Sequence, residues 1–205
     1  MTQPSRAQAE ADADADDAAL IQLSRREPEY FTELFRRHAP HIQRYVVRRL
    51  GQDAADDIVA ETFLLAFRQR DSYDQSRADA RPWLYGIATN LIGRHRRAEI
   101  RLYRALARTG TDPVTESESF TDRIDDRVSA SMASRRLAAA LARLPRESRD
   151  TLLLVTWGDL SYEQAATALG VAVGTVRSRM SRARSALRRS LGDSNPAAFD
   201  EERKQ

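Results

Sequence analysis

The feature that most constrains this chain lies between residues 160 and 191. Ser161 and Gln164 stand at the spacing of a helical capping box, and Gly170 closes the short segment they open. Beyond it, Val176, Met180, Ala183, Leu187 and Leu191 recur at helical intervals with no acid among them. A short helix, a glycine turn and a second amphipathic helix form a helix-turn-helix. The outer positions of that second helix hold Thr175, Arg177, Ser178, Arg179, Ser181, Arg182 and Arg184. Arginine and hydroxyl side chains suit base edges and phosphates.

Charge placement extends this reading to the whole chain. Six arginines and no acid lie between Arg177 and Arg189, and six arginines against Glu99 alone lie between Arg94 and Arg108. Between the clusters, residues 109–126 carry six acids and one base amid Thr, Ser, Gly and Pro. Two basic modules joined by an acidic linker are the expectation. The first 24 residues hold five acids and one arginine, without apolar periodicity before Leu20, and read as a tail. The net charge of +3 carries no such information, because only the distribution is uneven.

Composition excludes several chemistries. Cysteine is absent, so disulfides, thiol catalysis and Cys-ligated metal are ruled out. The single lysine is Lys204, outside any helical pattern, which removes a P-loop lysine and a Schiff base. No apolar run approaches the 18 or so residues of a membrane-spanning helix, so no membrane insertion is expected. His38 and His41 are spaced i, i+3 without an evident third ligand, so no metal and no cofactor are expected. No nucleophile elbow or carboxylate pair suggests an enzyme.

In the first half, apolar residues at helical spacing run from Leu20 to Leu50, punctuated by Pro28 and Pro40 and stopped at Gly51. Asp53 is a candidate cap for a second stripe, Ile58 to Phe67. A polar segment, 70–81, reads as a loop. Pro82 opens a helix carrying Trp83, Leu84, Ile87, Leu91 and Ile92 straight into the first arginine cluster. The expected fold is all-α: two small helical domains joined by a flexible acidic linker. The expected boundaries are a tail at 1–19, a first domain at 20–108, the linker at 109–130, a second domain at 131–192 and a tail at 193–205.

These residues resemble a known family. The run 144–191, with LP at 144–145, LSYEQAA at 160–166 and GTVRSRMSRAR at 174–184, resembles region 4 of bacterial sigma-70 factors, which reads the −35 promoter element. The extracytoplasmic-function group is the most similar. ADDIVAETFLLAFR at 55–68 resembles region 2.2, which binds the clamp of the polymerase β′ subunit. RPWLYGIATNLIGRHRR at 81–97 resembles regions 2.3 and 2.4, which melt and read the −10 element. Ala60 stands where the family often has Gln, Arg94 where it often has Asp, and Ala172 where it usually has Pro or Ser.

The resemblance implies a cytoplasmic sigma factor, itself not a catalyst. Its partners would be core RNA polymerase (β′ clamp and β flap), promoter DNA and an anti-sigma factor. Polymerase docking would fall to Asp56, Asp57, Ile58, Glu61, Phe63 and Leu65. Contact with the −10 element would fall to Arg81, Trp83, Asn90, Arg94, Arg96 and Arg97, with the loop from Tyr73 to Arg81 holding an unstacked base. Contact with the −35 element would fall to Thr175, Arg177, Ser178, Arg179 and Arg182. A free-standing helix-turn-helix regulator is the alternative, and a helical adaptor without DNA contact is a third. The 55–97 block favours the sigma reading, because a regulator has no use for a docking helix followed by a melting helix.

Overall fold

The computed structural model describes residues 16–109 and 124–191, and among them all regular structure is helical. The acidic tail up to residue 15, the stretch 110–123 of the expected linker and the C-terminal tail lie outside the described residues.

Helix α1 (Asp17–Ser24) starts earlier than the sequence suggests. Asp16 caps it by accepting from the Ala19 amide at 2.7 Å. Asp17 turns inward, its Oδ2 lying 2.8 Å from His38 Nε2 and accepting from the Ala80 amide at 2.9 Å. Residues 16–19, expected as the end of the tail, therefore belong to the bundle. Their local polarity is overridden by one buried carboxylate with three neighbours to bond, His38, the Ala80 amide and Arg37.

Helix α2 (Phe31–Leu50) runs through Pro40 instead of stopping there. Pro40 is exposed, so water can take the carbonyl it leaves unpaired, while Leu34, His38, Ile42 and Tyr45 stay buried on either side. The helix ends where expected, at Gly51 with φ +87°. Asp53 does not cap α3 (Ala55–Gln69). It sits in a tight turn, Gln52–Ala54, that leads straight in, and Ala54 holds the capping position without a side-chain bond.

Helix α4 (Arg81–Arg94) is buried nearly all round, at Leu84, Tyr85, Gly86, Ala88, Thr89, Leu91 and Ile92. Two faces need cover because α3 packs on one side and a helix of the second half on the other. The polypeptide breaks at His95 and restarts as α5 (Arg96–Thr109). The break re-aims the chain so that Glu99 and Tyr103 point inward while the arginines stay outside.

The second half comprises α6 (Ile124–Arg143), α7 (Arg146–Thr156), α8 (Tyr162–Leu169) and α9 (Val173–Leu191). The first of these begins inside the stretch expected as linker. The capping box forms as read: Ser161 Oγ accepts from the Gln164 amide at 3.1 Å, and Gln164 Oε1 accepts from the Ser161 amide at 2.8 Å. Gly170 closes α8 in the left-handed region at φ +63°. Val176, Met180, Ala183 and Leu187 bury the inner face of α9. Among the described residues no helix is long and apolar enough to cross a membrane.

The halves share one continuous apolar core. α4 lies along α8, α5 along α6, and Arg48 at the end of α2 stands 5.7 Å over the Trp157 ring.

Candidate docking and nucleic-acid surfaces

Three surfaces carry the residues singled out in the sequence. The first is the outer row of α3. Its register of 3.6 residues per turn puts Asp57, Ala60, Glu61 and Leu64 on one face, and all four are accessible. Asp56 is also exposed and accepts from Gln43 Nε2 at 2.7 Å. Ile58 and Phe63, expected as docking residues, are instead core, at 2% and 5% exposure. They fall on the opposite side of the same helix and pack against α2. Leu65 is half-buried.

Two apolar side chains that sequence reasoning passed over take their place: Leu64 at 47% exposure and Phe35 of α2 at 45%. The Phe35 ring meets the Phe63 ring edge-on at 4.8 Å between centroids, so it is propped outward from the core. The acidic row therefore flanks an accessible apolar patch. Leu64 was legible from the register, since it lies three and seven residues after Glu61 and Asp57.

The second surface surrounds the break between α4 and α5. Asn90, Arg94, Arg96 and Arg97 are all exposed there. Arg94 Nη1 lies 3.1 Å from Glu61 Oε1, which ties this surface to the first. Both partners are well exposed, so the pair contributes little, about 0–1 kcal/mol. Trp83 is half-buried, its ring 4.9 Å from that of Tyr73. Tyr73 is buried within the polar loop and donates from its hydroxyl to the Arg77 carbonyl at 2.7 Å. Burial pushes its phenol pKa upward, with the neighbouring carboxylates of Asp17 and Asp79 adding to the shift, so it remains a neutral donor.

Asp74 organises the loop's turn. It accepts from the Ser76 amide at 3.1 Å, Ser76 Oγ at 2.7 Å and Arg77 Nε at 2.8 Å. These bonds hold its carboxyl down at about 2. Arg81 does not reach outward freely: its Nη2 lies 3.1 Å from Asp79 Oδ2.

The third surface is the outer face of α9. Successive residues turn by about 100°, so the direction opposite Val176, Met180, Ala183 and Leu187 falls on Ser178, Ser181, Arg182 and Ser185. Ser178 and Arg182 are exposed on this crest, Arg177 is exposed on one flank, and Thr175 and Arg179 are half-buried on the other. Ser178 Oγ donates to the Thr175 carbonyl at 2.9 Å, and Arg182 Nε to the Ser178 carbonyl at 3.3 Å. Arg177, Arg184 and Arg188 line an open cleft of about 230 Å³ together with Tyr162 of α8.

Comparison with known proteins identifies both halves of the chain. The sequence profile of sigma-70 region 2 matches residues 34–109, and that of sigma-70 region 4 matches residues 134–187. The chain is 36% identical over 159 residues to the ECF RNA polymerase sigma factor SigE of Mycolicibacterium smegmatis, covering 76% of this chain and 59% of that longer protein. It is 31% identical to the ECF RNA polymerase sigma factor SigW of Bacillus subtilis, covering 84% of this chain and 94% of SigW. Its fold is similar to that of the sigma factor RpoE, solved in complex with the anti-sigma factor NepR from Bartonella quintana. The TM-score is 0.55 at 24% identity, over 80% of this chain and 98% of that one. With both regions present in order, the chain belongs to the extracytoplasmic-function group of the sigma-70 family of RNA polymerase sigma factors.

Proposed function

We propose that the chain is the promoter-reading subunit of a bacterial holoenzyme, and that its three surfaces act in sequence. The α3 row, Asp57, Glu61 and Leu64 with Phe35, docks on the β′ clamp. Leu64 and Phe35 supply desolvated contact, while the carboxylates steer and orient, since rim charges govern on-rate and register more than affinity. Arg94, Arg96, Arg97 and Asn90 then hold the −10 element, and the loop from Tyr73 to Arg81 receives an unstacked base. Asn90 can donate and accept at one base edge. The α9 crest enters the major groove at the −35 element, with Ser178 and Arg182 toward the bases and Thr175, Arg177 and Arg179 on its flanks. The cleft of Arg177, Arg184 and Arg188 holds phosphate, where guanidinium groups pair well with paired oxygens. Region 4 also meets the β flap.

The chain performs no bond-making chemistry in this scheme; it gives polymerase its address in the cytoplasm. An anti-sigma factor is the remaining partner, supported by the company in which the structural relative was solved.

One observation carries the reading: an exposed acidic and apolar row, an arginine-studded helix break and a helix-turn-helix occur in this order on one chain. The test mixes the purified chain with core polymerase and follows co-elution and retention of genomic DNA fragments under heparin challenge. A holoenzyme that retains specific fragments is expected. Tight, specific DNA binding by the chain alone without co-elution would make it a free-standing regulator.

A further inference from the structure

Helix α1 is tied to both ends of the loop that receives the base under the proposed function. At the far end, the Asp17 amide donates to the Ala78 carbonyl at 3.1 Å, and Asp17 Oδ2 accepts from the Ala80 amide at 2.9 Å. At the start, where α3 hands over to the loop, Arg25 Nη2 donates to the Asp71 carbonyl at 3.0 Å and to the Arg70 carbonyl at 3.3 Å. Arg70 Nε donates back to the Ser24 carbonyl at 3.3 Å. The helix between these ties measures about 10 Å at ~1.5 Å per residue. Leu20, Ile21 and Ser24 are wholly buried and root it in the core.

The loop between the two ties holds its own turn. Tyr73 donates to the Arg77 carbonyl, and Asp74 gathers the Ser76 amide and the Arg77 guanidinium. Residues 73–77 therefore move as one unit, and the ties at either side decide where that unit is aimed.

Asp17 also completes the start of α4. Ala80 holds the capping position there and has no side-chain oxygen to offer. It is fully buried, so its amide needs a partner inside the protein. The Asp17 carboxylate supplies one from another helix, at a helix end where negative charge is favoured. His38 Nε2 at 2.8 Å and Arg37 Nη1 at 3.4 Å fix that carboxylate from α2. Thus α1, α2 and the start of α4 meet at one side chain, where the loop passes into α4.

We infer that α1 is a splint for the base-receiving loop and that Asp17 is its positioning residue: by fixing Ala78 and Ala80 it sets the shape in which the loop discriminates among unstacked bases. The inference rests on the proposed role of that loop. Asp17 is 7% exposed and His38 9%, so neither touches DNA and the effect passes through the backbone. Selectivity depends on donors and acceptors held to within about 0.5 Å of their working geometry. A loop freed at one end keeps its residues but loses that definition. Burial of Leu20 and Ile21 alone would attach α1 to the core; the bonds to the backbone at 70, 71, 78 and 80 do something further, because they grip the loop.

The test uses holoenzyme reconstituted from core polymerase and the full-length chain. A promoter library randomised across the −10 element is retained under heparin challenge and sequenced. Asp17→Ala removes the acceptor for the Ala80 amide. It should lower the preference at one −10 position roughly fivefold or more, the lower end of what one base contact is worth. The other −10 positions and the −35 element should keep theirs. Asp17→Asn keeps an oxygen for the Ala80 amide and should restore most of the lost preference, whereas a purely structural defect would weaken all promoters alike. Arg25→Ala frees the other end of the loop and should flatten the same position; it stands in should Asp17→Ala fail to fold by circular dichroism. Gln75→Ala with Ser76→Ala, at the exposed tip, marks which −10 position belongs to the loop. Wild-type preference in a folded Asp17→Ala or Arg25→Ala chain, no rescue by Asp17→Asn, or a loss spread evenly over all positions overturns the splint. If the tip variant shifts no position, the proposed role of the loop fails, and the splint with it.

Discussion

For single residues, the proposed docking depends on which side chains of α3 face outward. Asp57, Glu61 and Leu64 do; Ile58 and Phe63 do not. Reversing Asp57 and Glu61 to Arg should abolish co-elution with core polymerase while shifting the thermal midpoint little, since exposed substitutions cost about 0.5 kcal/mol or less. Leu64→Asp should weaken assembly about tenfold, the worth of one apolar contact of 1–2 kcal/mol. Titration of labelled chain into core polymerase measures both. On α9, Arg182→Ala should relax preference at one position of the −35 element, a loss of roughly 1–3 kcal/mol in discrimination. Arg188→Ala, further along and beside the cleft, should weaken all sequences alike and reduce the salt slope by about 1. Selection from a promoter library distinguishes the two. Part of the candidate surface was legible in residue type and order: the arginines at 94, 96 and 97 and Arg177, Ser178 and Arg182 of α9 stand in solvent, while Thr175 and Arg179 are half-buried. The docking row was only half legible. A run such as ETFLLAF is apolar on almost every position, so its inner and outer sides separate only once α2 defines where the core is.

At the scale of elements, local chemistry explains most boundaries and tertiary contacts explain the exceptions. The capping box at Ser161 and the glycine stops at 51 and 170 depend on their own few residues, and the sequence shows them directly. The passage of α2 through Pro40 and the early start of α1 depend on partners elsewhere in the chain, which no local pattern records. For α1 that partner network makes a pH prediction. Burial disfavours the Asp17 carboxylate, but the bond from His38, the Ala80 amide and the nearby charges of His38 and Arg37 outweigh it and hold its pKa below the usual 3.8. A carboxyl lowered in the folded state adds stability above pH 3.8, and that stability is lost as pH falls through the lowered value. Thermal melts of the wild type and Asp17→Asn should therefore differ at neutral pH and converge below about pH 4. A gap that stays constant into strong acid would remove the carboxylate from the attachment of α1.

Across the whole molecule, two separate basic clusters were legible from charge placement alone. The face-to-face packing of the two halves was not, because the apolar core they share is crossed by buried ion pairs of Arg49 with Glu99 and Asp150 and of Arg149 with Glu99. Arg49, Glu99, Arg149 and Asp150 look like surface residues in sequence, and only the stripe of 38, 42, 45 and 49 on α2 marks the first of them as a core position. Under the proposed function, one chain gives core polymerase both promoter contacts. Mapping transcript 5′ ends from run-off reactions on a genomic fragment pool, with and without the chain, tests it most directly. A discrete set of chain-dependent starts is expected, whose upstream DNA shares two short motifs separated by about two and a half helical turns, roughly 25 base pairs. Starts that do not change when the chain is added, or that share a single motif only, would contradict it.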